Sequence, residues 1–142
     1  MHYEIRDRYD GYSIFSVEAE TFKLAVESAL KKQISLERAD LSRVDLSGMN
    51  LSHAHLFKAD LSDANLSKAN LYGADLSRTN LSNANLSGSN LYASSMLGAN
   101  LSNADLSHAD LSGSDLAGAD LTGTLFDHSD LTGVRMPVFK AA

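Results

Sequence analysis

A chain of 142 residues, 44% of them hydrophobic, is long enough for one domain with a real apolar core. Cysteine is absent, which excludes a disulfide framework and any thiolate metal site. The net charge of −6 is unevenly spread: residues 79–134 hold six aspartates and no Lys or Arg, which argues against nucleic-acid binding there because phosphate contacts need cations.

The chain starts MHYEIRDRYDGYSIF, charged and alternating, without the apolar run of a signal peptide. No stretch reaches the ~20 apolar residues of a membrane-spanning helix, so the expected setting is cytoplasmic, away from any membrane. Tyr3–Arg8 and Tyr12–Val17 alternate like strands around Asp10-Gly11, a two-residue hairpin signal because both residues tolerate positive φ. Thr21 then offers an N-cap, and Phe22, Ala25, Val26, Ala29 and Leu30 fall on one helical face, with Glu27 and Lys31 spaced to pair outside it. Residues 1–33 therefore read as a β-hairpin followed by an amphipathic helix.

From residue 34 the pattern changes. A large apolar residue recurs every five positions from Leu36 to Met136, twenty-one units without a slip, and only Met96, Phe126 and Met136 replace leucine. The unit is A-(D/N)-L-S-x. On a helix, successive leucines would stand about 140° apart and form no stripe, and Ser, Asn, Asp and Gly are poor helix formers. In an extended segment Ala and Leu, two apart, point one way while Asp/Asn and Ser point the other. The fifth residue, often Gly, His, Lys or Arg, then falls where the chain must turn. Such a chain winds into a coil filled with Leu and Ala, and stacked coils pair their backbones at ~4.8 Å. This is a solenoid in which each coil buries its neighbour's apolar layer.

These residues resemble the pentapeptide-repeat family, whose motif is A-(D/N)-L-x-x. The resemblance covers residues 34–138 and implies an all-β solenoid, a right-handed quadrilateral β-helix with four pentapeptides per coil. Twenty-one units then make about five coils, roughly 25 Å tall. A bare first coil would expose its leucines and an unpaired backbone edge, so the hairpin and helix of residues 1–33 are expected to cap it. At the other end, Leu125 and Arg135 take Asp/Asn positions and Pro137 ends strand pairing. Leu125, Phe126, Met136, Val138 and Phe139 gather apolar surface there. Either the tail, with residues 139–142 at its end, folds back as a plug, or this end pairs two copies, as in family members that dimerise tail to tail.

If four units make a coil, residues twenty apart share a column. Arg38, Lys58 and Arg78 then form a basic stripe, Tyr72 stands beside Tyr92, Phe57 and Leu97 point outward, and His108 lies one coil from His128 next to Asp127. Asn50, Asn70, Asn90, Asp110 and Asp130 run down one wall. Three cations on a turn column read as a solvated face, and two imidazoles with one carboxylate are a weak metal signature. An enzyme needs a nucleophile, a base and an orienting group in a pocket. The serines here are repeat positions on an outer wall, and no phosphate loop, dinucleotide fingerprint or HExxH occurs. We therefore expect no catalysis, no cofactor and no metal. What remains is a surface that binds a protein partner, with Asp105, Asp110, Asp115, Asp120, Asp130, Tyr72 and Tyr92 as candidate contacts. The alternative, implied by the resemblance, is DNA mimicry: some family members that protect bacterial type II topoisomerases such as gyrase are acidic rods shaped like duplex DNA.

Overall fold

The computed structural model describes residues 1–138. Strands β1 (His2–Arg6) and β2 (Ser13–Glu18) pair antiparallel, with His2 opposite Glu18 and Ile5 opposite Phe15, and a bulge follows Ile5. The connection is wider than a two-residue turn. Gly11 alone takes positive φ, +74°, and the loop from Asp7 to Tyr12 is held instead by the Asp7 carboxylate, which accepts the N–H groups of Tyr9 and Asp10. Helix α1 (Phe22–Lys31) follows with Thr21 as N-cap, its hydroxyl accepting Leu24 N–H, and Lys31 pairs with Glu27 at 3.0 Å.

The repeats wind as expected, four to a coil. Parallel bridges join residues twenty apart at the Asp/Asn position: Asp40 to Asp60, Asp45 to Asn65, Asn50 to Asn70, and so on to Asp115 with Arg135. We number the walls by their leucines. Wall 1 begins at Leu36, wall 2 at Leu41, wall 3 at Leu46 and wall 4 at Leu51; each recurs every twenty residues. Each unit makes three bonds between coils. In one example Leu61 N–H donates to Asn80 C=O at 2.8 Å, Asp63 N–H to Ser82 C=O at 2.9 Å, and Asn80 N–H to Ala59 C=O at 3.0 Å. Every leucine at the five-residue core position from Leu36 to Leu116 is at most 1% exposed, whereas Leu97, at a serine position, is 40% exposed.

The corner explains the rest of the motif. Ala64 N–H donates to Leu61 C=O at 3.1 Å, closing a four-residue turn, and the third turn residue, Asp63, has φ of +58°. Positive φ at that place alone marks a type II turn. The residue before the leucine holds this turn open-ended no longer: the side-chain oxygen of Asp60 accepts Ser62 N–H at 3.0 Å, an Asx turn. Both Asp and Asn carry that oxygen, which is why the position accepts either. Where Leu125 replaces them, the described residues give Asp127 N–H no such acceptor. Glycine suits these corners but most are not glycine. Gly73 is a special case, because a Cβ there would meet the His53 ring at 2.7 Å.

The N-terminal elements lie against the first coil. Asp40 N–H donates to Arg6 C=O at 2.7 Å and Arg8 N–H to Arg38 C=O at 2.8 Å, so the end of β1 runs beside residues 39–40 in an antiparallel bridge. Ile5, Val26 and Ala29 join Leu36, Leu41 and Leu46 in one apolar cluster. The other end differs. Leu131 is 39% exposed, Met136 40% and Val138 91%, so the tail up to Val138 does not fold back as a plug. Phe139 and residues 139–142 lie outside the described residues.

Candidate interaction surfaces

Wall 4 gathers most of the candidate contacts. Tyr72 and Tyr92 occupy the serine position of successive coils, half exposed, with rings stacked at 5.6 Å and only 3° apart in plane. His53 meets Tyr72 edge-on at 5.0 Å from the corner above. Asp110 and Asp130 stand further down the same wall, in the column of Asn50, Asn70 and Asn90. Each tyrosine N–H donates to the asparagine two residues earlier, Tyr72 to Asn70 and Tyr92 to Asn90. The backbone that carries the rings is therefore fixed, and the side chains project from a rigid ladder.

The other acidic candidates do not share one face. Asp105 lies on wall 3, Asp115 on wall 1 and Asp120 on wall 2, so with Asp110 they form a girdle around one turn of the rod. The sequence showed these carboxylates as one acidic block; the winding spreads them around the circumference. Asp115 is partly neutralised, with Arg135 of the next coil at 3.3 Å. Ser107, by its hydroxyl and then its N–H, holds the Asp105 carboxyl below the ordinary aspartate range against the opposing effect of burial, and His108 adds to the lowering. Thr122 lowers Asp120 through its N–H and then its hydroxyl, and Thr132 lowers Asp130 through its hydroxyl and then its N–H. Asp105, Asp120 and Asp130 are therefore charged in any ordinary buffer.

The basic stripe is less free than its spacing suggests. Arg38 is held by Asp7 at 2.9 Å and Asp10 at 3.4 Å, with its guanidinium over Tyr9. The hairpin loop supplies both carboxylates, a contact across 31 residues that no local pattern reveals. Lys58 lies over the ring of Phe57. His108 and His128 do stack, at 5.0 Å, but among the described residues no three His, Cys, Asp or Glu side chains cluster as metal ligands.

At the C-terminal end, Phe126 and Met136 occupy core positions of the last coil, Phe126 half-buried and Met136 exposed, whereas Leu125 stands in the Asp/Asn column on the outside of wall 3, 51% exposed. Sequence reasoning missed one feature altogether: a cleft of about 590 Å³ between the end of α1 and the top of wall 4, lined by Leu30, Ile34, Asn50, Ser52, His53 and Ala54 among others. Its walls come from two separate segments, the end of α1 with the residues that follow it and the first unit of wall 4. No helix among the described residues is long and apolar enough to cross a membrane.

Known proteins give this geometry a family. The pentapeptide repeats model matches in eight copies, over residues 34–71, 59–96, 69–113 and 99–136. No curated protein matches the chain. Among solved structures, a pentapeptide repeat protein from the Arabidopsis thaliana thylakoid lumen is 32% identical with a TM-score of 0.64, over 66% of this chain and 65% of its own length. Rfr23, a pentapeptide repeat protein of the cyanobacterium Cyanothece 51142, is 27% identical over 82% of this chain and 100% of its own, with a TM-score of 0.45. QnrB1, a plasmid-mediated fluoroquinolone resistance protein, is 26% identical over 68% of this chain and 52% of its own, with a TM-score of 0.35. The family's fold is the right-handed quadrilateral β-helix, and the bridges twenty residues apart have its four-unit coil. Motif, winding and matched residues agree, and the chain belongs to the pentapeptide-repeat family.

Proposed function

We propose that the protein is a non-catalytic scaffold that docks a protein partner on wall 4, across Tyr72, Tyr92, Asp110 and Asp130. The stacked tyrosines carry this reading. Exposed aromatic side chains on a rigid support give contact area at small entropic cost, and such residues anchor interfaces. The leucine-filled interior supports it too, since the coils enclose packed side chains where a substrate would need space. Residues 1–33 serve in this reading as the cap of the rod. The test is affinity capture with immobilised wild type and a Tyr72→Ser, Tyr92→Ser variant. Serine is the usual residue at that position, so the variant should fold normally and lose the partner. A partner held equally by both proteins overturns the assignment to wall 4.

The acidic girdle favours a second reading, a mimic of DNA at the DNA site of gyrase or another type II topoisomerase. Carboxylates aligned on a slim rod compete for cationic grooves built for phosphate. Titration into a gyrase supercoiling reaction at low and high salt tests it. The expected result is salt-sensitive inhibition or protection, lost in a variant with Asp105, Asp110, Asp115 and Asp120 all changed to Asn. Asparagine keeps the Asx turns, so the fold survives the change. The exposed C-terminal end is, in either reading, the place for contact with a second copy. Leu131→Asp with Met136→Asp should then shift a dimer to a monomer in sedimentation, and an unchanged mass would remove that contact.

A further inference from the structure

Throughout the rod, three backbone groups of each unit point toward the preceding coil: N–H and C=O of the Asp/Asn residue and C=O of the residue after the leucine. In the first coil there is no preceding coil to receive them. Wall 2 places Asp40 N–H on Arg6 C=O, and in wall 3 Ser47 C=O receives the Lys23 ammonium. Walls 1 and 4 begin with all three groups without a partner among the described residues, at Ser35 and Glu37 and at Asn50 and Ser52. Only the wall 4 edge opens into the cleft beside α1, whose rear is the half-buried Leu30 and Ile34.

We propose that this edge is a strand-docking site for an extended peptide segment of a partner protein, which takes the place of one missing wall above Asn50. The unpaired groups dictate the occupant. It presents a C=O to Asn50 N–H, an N–H two residues later to Asn50 C=O, and a second N–H two residues further on to Ser52 C=O, the spacing with which Ala39, Leu41 and Arg43 meet Asp60 and Ser62. Backbone bonds of this kind supply affinity in strand addition, and alternate side chains supply selectivity. The middle residue is a medium aliphatic one facing Leu30 and Ile34, flanked by small residues, and neither N–H donor is proline. The docked strand continues the existing ladder of Asn50, Asn70 and Asn90. The end of another rod does not fit, because the hairpin and α1 occupy the space above walls 2 and 3.

The probe is a fluorescein-labelled decapeptide, Ala-Asn-Leu-Ser-Gly twice over, added to the full-length protein and followed by amide hydrogen exchange. With peptide in excess, the Asn50 amide is expected to slow by about tenfold or more. The Asn70 and Asn90 amides, already paired to Met49 and Ala69 at 2.9 and 3.0 Å, stay as they were and report that the fold is intact. The same peptide with proline for both leucines protects nothing, and Ile34→Lys abolishes Asn50 protection while leaving Asn70 and Asn90 slow. Unchanged exchange at Asn50 under millimolar peptide overturns the site. Protection at Phe126 and Leu131 in its place also overturns it, and assigns strand capture to the open C-terminal end.

Discussion

The two ends of the rod are made from the same unit and met by different chain. At the N-terminal end Leu36, Leu41 and Leu46 are fully buried, because Ile5, Val26 and Ala29 lie over them. At the C-terminal end Leu131 and Met136 are 39% and 40% exposed, and among the described residues nothing covers them. A pentapeptide coil supplies half of each leucine's surroundings and borrows the other half from its neighbour. The difference shows that the repeat alone determines the shaft, and non-repeat chain determines how an end behaves.

The comparison can be broken most severely in mid-shaft. Leu66→Asp places a carboxylate among fully buried leucines and is expected to abolish folding, whereas Leu131→Asp leaves the far-ultraviolet dichroism of the shaft intact. With milder truncation, Leu66→Ala should cost about 2–5 kcal/mol and Leu131→Ala much less, by denaturant titration. Equal losses at the two positions would sink the account of the ends. A next step down sets two corners against each other. Gly48→Ala meets open space and Gly73→Ala meets the His53 ring, so the second should lower the melting temperature more, although both carry positive φ.

Smaller still are the buried hydroxyls. Ser94 and Ser114 stand in the alanine column, at most 2% exposed, with no partner for either Oγ, while Thr79 donates to Leu56 C=O at 2.8 Å. Ser94→Ala should therefore stabilise slightly, and Thr79→Val should cost about 1 kcal/mol. The pH dependence is the gentlest effect. Asp45, Asp105, Asp120 and Asp130 all have lowered values in the folded chain, first through the hydroxyl or N–H two residues on. Their contribution is complete above the ordinary aspartate value and is lost as pH falls through the lowered folded values. The melting temperature should hold steady from neutral pH down to about 4 and decline below it. A decline starting well above that range would point to other groups.

Periodicity was enough to read the inward leucines and the turn at the fifth residue, since both follow from side-chain alternation. Four units to a coil came from resemblance, because spacing alone does not set how sharply a corner bends. Thr21 and Glu27–Lys31 were legible because their contacts are local. At Asp10-Gly11 the structure departs from a two-residue turn: the Asp7 carboxylate organises a wider loop, with positive φ at Gly11 alone. In the sequence Arg38 reads as part of a solvated stripe, because its partners Asp7 and Asp10 lie about thirty residues away. The cleft above Asn50 was invisible for the same reason, since it exists only where helix and first coil come together. The reason for Asp or Asn before each leucine lies in the turn itself, because the Asx bond joins a side chain to the backbone of the corner.

The open last coil gives the molecule a direction. Units that touch only their neighbours melt from whichever terminus is held least, and among the described residues Leu121, Phe126 and Leu131 lack the layer below that the earlier core-position leucines have. Fraying should begin at the C-terminal coil and climb toward the helix one turn at a time, as a zipper opens from its loose end. Under tension applied at the two termini, the same asymmetry would make extension proceed in steps of about twenty residues, with the hairpin end the last to yield.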